Sequence, residues 1–159
     1  MARIEETRDR RKFLKEERKA IYPELTIKQF QDWVDGENPP YALLQYALVD
    51  DSQEIIGGAV VEVHDHLDEK RVLLVLDAIW VKSGWRRKGL GRQLLQETFE
   101  EARRYYQKHG LNPAGIMIQT TSLDEGAAEF YHQSINPPYS VTEQEMDGVK
   151  IVVFLVPLK

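Results

Sequence analysis

The chain has 159 residues, 42% of them hydrophobic and 30% charged, which suits one domain with a sizeable core. It contains no cysteine, so disulfides, thiolate metal sites and a cysteine nucleophile are excluded, and any group transfer must run without a thiol of the protein's own. The formal net charge is −5, yet Lys82, Arg86, Arg87, Lys88 and Arg92 stand in an acid-free segment that carries +5, leaving −10 on the remainder. Charge focused in this way suits a small polyanion such as a phosphate group and argues against broad nucleic-acid binding. No run approaches the roughly 18 apolar residues of a membrane span, and MARIEETRDRRKF is charged where a secretory signal would be apolar. A cytoplasmic protein with neither a membrane nor a nucleic-acid partner is expected.

In chain order, residues 1–22 are dense in charge and too sparse in apolar positions for a wide buried stripe, so they read as a charged N-terminal helix or arm. A second helix is predicted from Thr26 as cap through Phe30 and Trp33 to the breaker Asp35-Gly36 and then Pro39-Pro40. YALLQYALV, the turn DDSQ and EIIGGAVVEVH read as an antiparallel hairpin. VLLVLDAIWV is apolar on both faces apart from one acid, as a strand covered on both sides is. After the basic loop, Leu94, Leu95, Phe99, Ala102 and Tyr106 recur at helical spacing up to Gly110.

GIMIQTT follows as a strand, and Ser122 with Glu125 has capping-box spacing for a helix that carries Ala127, Ala128, Phe130 and Tyr131 and ends at Asn136-Pro137-Pro138. VKIVVFLVPL is the last strand, apolar enough to serve a homodimer contact as readily as a core. The order, helices then β, β, β, α, β, α, β, is that of a single α/β domain over 1–159 with a mixed sheet.

WVKSGWRRKGLGRQLL, residues 80–95, joins a strand to a helix through glycines. Such a junction turns unpaired backbone N–H groups and the positive end of the helix dipole toward one point, where phosphate oxygens fit. Glycine matters there because a Cβ would hold a ligand off the backbone and penalise turn dihedrals. Two familiar phosphate loops fail: Gly84 to Gly89 has P-loop spacing, but Leu90 and Gly91 stand where lysine and Ser/Thr are needed. The dinucleotide pattern would require glycine at Leu94.

What remains is R-x-x-G-x-G, filled by Arg86, Gly89 and Gly91, and about 40 residues later A-x-x-F-Y, filled by Ala127, Phe130 and Tyr131. With these motifs on the matching strand and helices, Tyr41 to Lys159 resembles the GNAT superfamily of acetyl-coenzyme A dependent N-acetyltransferases. The resemblance implies an α/β fold with a mixed, mostly antiparallel central sheet, helices on both faces and splayed central strands. It implies acetyl-CoA as cosubstrate, with its pyrophosphate on the loop Arg86, Arg87, Lys88, Gly89, Leu90, Gly91 and Arg92, its pantetheine arm along Ile79 and Val81, and Tyr131 beside the sulfur. Where the family motif continues to a glycine, this chain reads Ser134-Ile135-Asn136-Pro137, and the family's first strand is not evident in the charged N-terminus.

The implied reaction moves acetyl straight to a primary amine of a small molecule or protein. The alternative is a CoA-binding regulatory module without catalysis. A lysine-like amine, with a pKa of about 10.4, is neutral in roughly one molecule in 2,500 at pH 7, a deficit of about 4.6 kcal/mol, so some group must accept or manage its proton. Asp77, the only ionisable residue between Val72 and Val81, is costly in an apolar strand unless paired or used. It is the candidate to receive that proton or anchor the cation, against a plain structural acid. Tyr131 is the candidate proton donor to the leaving thiolate, its reference pKa near 10 lying about 1.5 units above a thiol. His64 and His66 share a strand face without a spaced third ligand, the pattern of solvated residues, and no metal is expected.

Overall fold

A computed structural model describes residues 3–6, 43–86, 89–124 and 126–158. In chain order these form β1 (Arg3–Glu6), β2 (Leu43–Val49), β3 (Ile55–His66), β4 (Arg71–Val81), a 3-10 turn at Ser83–Trp85, α1 (Leu90–Lys108), β5 (Asn112–Thr121), α2 (Ala127–Ser134), β6 (Ser140–Met146) and β7 (Val149–Pro157). The strands make one seven-stranded sheet in the order β1-β2-β3-β4-β5-β7-β6. β1–β2, β2–β3, β5–β7 and β6–β7 run antiparallel and β4–β5 parallel, so the sheet is mixed and mostly antiparallel as expected. The β4–β5 ladder is registered from Arg71↔Asn112 to Val75↔Met117, whereas β4 continues to Val81 and β5 to Thr121.

Two strands escaped the sequence reading. Arg3–Glu6 is a strand paired with β2, not part of a charged helix or arm; the remainder of that predicted arm and the helix predicted from Thr26 lie outside the described residues. Ser140–Met146 is paired along its whole length with β7 but exposed at every position except the half-buried Val141. With neither face buried it carries no apolar alternation to betray it.

Two compact units divide the contacts. The first comprises residues 1–62 and 77–98, as far as they are described. Its core joins Ala47 and Val49 of β2, Ile55 and Val60 of β3 and Trp80 of β4, with Ala78 packed against them. The β2–β3 hairpin turns at Asp50, whose Oδ1 accepts from the backbone N–H groups of Ser52 (2.8 Å) and Glu54 (3.0 Å), the Asx-type closure that makes aspartate a turn residue.

The second unit comprises residues 63–76 and 99–159. Ile116, Ile118, Val152, Phe154 and Val156 are buried there, with Tyr131, Ser134 and Ile135 from α2 and its end. β5 is held to β7 from Gly115↔Pro157 to Thr121↔Ile151. Asp68 closes the turn before β4: Oδ1 accepts from the N–H groups of Lys70 (2.9 Å) and Arg71 (2.7 Å), and Oδ2 from Arg71 Nε (2.7 Å), which holds its carboxyl well below the usual carboxylate range. α1, which contributes to both units, buries Leu94, Thr98, Ala102 and Tyr106 at intervals of four, plus Leu95. It ends where the chain turns left-handed at Gly110 (φ +77°), with Gly110 N–H donating to Gln107 C=O (3.1 Å) and Leu111 N–H to Tyr106 C=O (3.0 Å), the two bonds of a glycine C-cap.

The capping box read into Ser122 and Glu125 is not what starts α2. Helix α2 begins after Gly126 (φ +80°) with no side-chain cap. Ser122 instead joins β5 to β7: its N–H donates to Lys150 C=O (2.8 Å) and its Oγ accepts from Lys150 N–H (3.1 Å). Glu125 lies outside the described residues.

Gly57 sets how closely β3 lies against the end of β4. A Cβ built there falls 2.7 Å from the Trp80 carbonyl oxygen and 3.4 Å from the Leu48 side chain. Gly57→Ala must therefore push the backbone of β4 at Trp80, and overpacking of this kind costs about 1–3 kcal/mol. The expected outcome is a melting temperature lower by roughly 3–10 °C, read by circular dichroism, together with weaker acetyl-CoA binding by calorimetry, because the displaced residues adjoin Ile79 and Val81.

Candidate active site

The predicted cofactor edge is built by the last residues of β4. Lys82 N–H donates to Ile56 C=O (2.8 Å), and the Trp80 carbonyl lies against Gly57, so the backbone groups of Trp80 and Lys82 face β3. On a strand, successive residues turn their N–H and C=O to opposite edges. Those of Ile79 and Val81 consequently face away from β3, along the stretch of β4 beyond the end of the β5 ladder at Val75. Ile79 and Val81 are themselves half-buried, and Trp80, 6% exposed, is a core residue.

The turn after β4 is closed by its own side chain. Arg86 Nε donates to Val81 C=O at 2.9 Å, over the 3-10 turn in which Trp85 N–H donates to Lys82 C=O (2.8 Å). Sequence reasoning assigned Arg86 to the pyrophosphate; its guanidinium also fixes where the loop leaves the strand. Arg87 and Lys88 lie outside the described residues. Gly89 has φ +76° and nothing within 4 Å of a built Cβ, so the backbone conformation demands glycine there, not shortage of space. Gly91 is the second residue of α1 and needs no such dihedral.

Among the described residues, the first hydrogen bond of α1 runs from Gln93 N–H to Gly89 C=O (3.1 Å). The N–H groups of the opening turn that begins at Gly89 point toward the helix N-terminus, as in any α-helix. No acid stands in the first turn of α1, while Arg92 adds its charge to the dipole there. Oriented amides and a positive helix end, in a segment whose sequence carries five cations, are the features that suit a polyanion.

Asp77 departs from expectation. Leu76 before it is buried, but Asp77 is exposed, because the coverage of β4 on both faces stops at Leu76. The desolvation cost that made an acid in this strand suspicious is therefore absent. What survives is its position, two residues before Ile79 on the same face of the strand.

Tyr131 lies in the second unit, on α2, 9% exposed and ringed by aromatic contacts to Phe130 (centroids 5.3 Å apart) and Phe154 (5.5 Å). Burial, and secondarily the carboxylate of Asp124, pushes its phenol up to about 12. It is thus a proton carrier at every working pH, but the gap to a thiol near 8.5 widens from the expected 1.5 units to about 3.5, or about 5 kcal/mol.

His64 and His66 are exposed at the end of β3, and among the described residues no group of three or more His, Cys, Asp or Glu could hold a metal ion. No described helix is long and apolar enough to cross a membrane. Gly57 went unread as a site-shaping residue; its signal was the Gly-Gly pair inside an otherwise apolar strand, which marks close approach of another backbone.

The raised phenol of Tyr131 gives a stability signature. A group whose folded pKa exceeds its unfolded value stabilises fully below the unfolded value, about 10, and loses that contribution as pH climbs toward about 12. Denaturant melts of wild type and Tyr131→Phe should therefore differ by a constant below pH 10. Above it the difference should shift in favour of the variant by about 1 kcal/mol per pH unit; an unchanging difference to pH 11.5 would contradict the burial of this hydroxyl.

Comparisons with known proteins bear on the family and the fold. Residues 5–135 match the model of the acetyltransferase (GNAT) family. No curated protein sequence matches the chain. Among solved structures it is similar to a putative GNAT acetyltransferase from Desulfovibrio desulfuricans, with TM-score 0.69, 15% identity, and coverage of 99% of this chain and 98% of that one. It is similar also to the ribosomal-protein-S18-alanine N-acetyltransferase of Escherichia coli, with TM-score 0.65, 20% identity, and coverage of 99% and 94%. A third likeness is to NAA60 of Arabidopsis thaliana in complex with acetyl-CoA, with TM-score 0.65, 14% identity, and coverage of 99% and 99%. At such identities these structures speak for the fold, and the family match speaks for the chemistry: the chain belongs to the GNAT acetyltransferases, enzymes that use acetyl-CoA as cosubstrate.

Proposed function

We propose that residues 1–159 act as one catalytic domain that transfers the acetyl group of acetyl-CoA directly to a primary amine, without a covalent enzyme intermediate. The observation that carries this reading is the junction of β4 with α1, where an outward-facing strand edge at Ile79 and Val81 leads into a Gly89-initiated helix inside the +5 segment. The amides of Gly89, Leu90, Gly91 and Arg92, with Arg86, Arg87 and Lys88, hold the diphosphate. The backbone of Ile79 and Val81 pairs with the pantetheine arm as a strand would.

With the thioester so placed, the Ile79 N–H polarises its carbonyl, a contribution on the order of 3 kcal/mol from one preorganised donor. The amine nitrogen bonds to the carbonyl carbon, the C–S bond breaks, and the proton that the amine gives up passes to water, which restores to the phenol the proton that the thiolate takes. Tyr131 donates a hydrogen bond to the departing thiolate. With a phenol this basic the hydrogen bond, worth about 1.5–3 kcal/mol to a charged acceptor, is the larger part of its role, and complete proton transfer follows as the thiol leaves. Asp77, being exposed, serves to anchor the cationic acceptor; burial that would strengthen it as a base is lacking.

The −10 balance outside the basic segment favours a cationic acceptor, whether a small polyamine-like molecule or a protein amino group. A cytoplasmic location goes with this reading, since the cosubstrate is a charged intracellular metabolite. A homodimer contact would draw on Ile151, Val153 and Leu155 of β7, because Val152, Phe154 and Val156 are committed to the core.

Thiol release from acetyl-CoA should accelerate over buffer when a panel of amines is supplied; a chain that binds acetyl-CoA in calorimetry yet releases no thiol with any amine or peptide tested would be a binding module. Tyr131→Phe should lower kcat by about 10- to 100-fold. Asp77→Asn should raise the acceptor KM at least fivefold with kcat within twofold, and unchanged constants would remove Asp77 from the site.

A further inference from the structure

We propose that His132 and Tyr139, acting through the ring of Phe154, are the positioning residues that fix Tyr131 on helix α2. The inference rests on the role given to Tyr131 above and adds what holds that residue in place.

Helix α2 has eight residues and no side-chain cap at Gly126, and so short a helix has little stability or fixed orientation of its own in water. Its setting must come from what it packs on. Phe154 is the fixed point: fully buried, in the middle of β7, with Ile118 on one neighbouring strand and Val141 on the other as its register partners. Two consecutive side chains of α2 meet that one ring, Tyr131 at 5.5 Å between centroids and His132 edge-on at 4.9 Å.

The chain then leaves the helix through Asn136-Pro137-Pro138 and returns Tyr139 to the same ring, at 6.0 Å. Tyr139 Oη lies 3.0 Å from His132 Nδ1, a hydrogen bond in which either atom donates according to the imidazole tautomer. His132, though exposed, thus contacts both Phe154 and Tyr139, and because Tyr131 adjoins it on the same helix, a rotation of α2 moves both residues.

The lever arm makes this consequential. A tyrosine hydroxyl stands about 9 Å from the helix axis, counting a Cα radius of about 2.3 Å, so a rotation of about 10° sweeps it through about 1.5 Å. A misplacement of about 1 Å at a reacting group can cost on the order of a hundredfold. The His132–Tyr139 bond spans the proline turn that this chain has where the family motif runs on to a glycine, so it closes locally a segment that departs from that motif.

The test is a kinetic cycle. Tyr139→Phe keeps the ring and removes the hydrogen bond; His132→Leu removes the polar group, and His132→Asn keeps a hydrogen-bonding atom near the Nδ1 position. Each is made alone and combined with Tyr131→Phe, and each is melted to verify folding. Tyr139→Phe and His132→Leu should lower kcat about 5- to 10-fold with the acetyl-CoA KM within twofold. His132→Asn should recover most of the loss, and in combination with Tyr131→Phe none should matter by more than about 1.5-fold, since coupled residues are non-additive. Equal losses with and without Tyr131→Phe, or no loss for Tyr139→Phe, would overturn the positioning role while leaving Tyr131 in the reaction. Full kcat in Tyr131→Phe alone is a different failure, which removes the hydroxyl from the chemistry and with it anything to position.

Discussion

Everything at this site depends on β4 being tied firmly along one edge and not the other. Toward β3 it is held by the Lys82–Ile56 hydrogen bond and by backbone contact so close that only glycine fits at position 57. Toward β5 the parallel ladder stops at Val75. The six residues that follow keep strand geometry because β3 enforces it, and strand geometry is what aims the amides of Ile79 and Val81 outward. A looser strand would fold those groups into local turns, and a fully paired one would spend them on the sheet. Arg86 completes the arrangement by bonding Val81 C=O, so that the departing chain enters the basic turn at a fixed point.

Charge placement repeats this economy. A chain of net −5 that gathers five cations and no acid into eleven residues makes a local field far stronger than its average. The helix that begins at Gly89 adds its own positive end without an acidic residue in the first turn to oppose it. The positive φ of Gly89 lets the chain turn into α1, and glycine adds no side chain of its own beside the first amides. Geometry and charge therefore select the same ligand, a compact polyanion, and neither would suffice alone.

How much of this was legible in the sequence follows from which forces act locally. The hairpin, β4, α1, the strand at Gly115 to Thr121, α2 and the last strand all bury one or both faces, so their apolar periodicity survives in the letters. β6, exposed along almost its entire length, and β1, four residues paired at a sheet edge, are specified by backbone pairing to partners far away in sequence, which leaves no periodic trace. The same distinction runs through the site. Glycines and cations of the loop were readable because turn dihedrals and charge are local properties. The exposure of Asp77 was not, because it depends on where the cover over β4 ends. Ser122 was misread as a helix cap for a similar reason: the bonds it makes run to Lys150, 28 residues on.

The role proposed for Tyr131 raises the question of why a buried donor is a defensible choice despite its cost. An exposed phenol would match a thiol more closely in basicity, but water would compete for every hydrogen bond it offered. Burial against Phe130 and Phe154 raises the phenol to about 12 and so makes deprotonation at neutral pH negligible, while withdrawing the competing solvent. The less acidic the donor, the less it gains from transferring its proton outright and the more it acts by a directed hydrogen bond. A directed bond tolerates little angular error. A donor selected for burial therefore needs a rigid seat more than an acidic one does, and a two-turn helix leaves that rigidity to the packing it makes, here on the ring of Phe154.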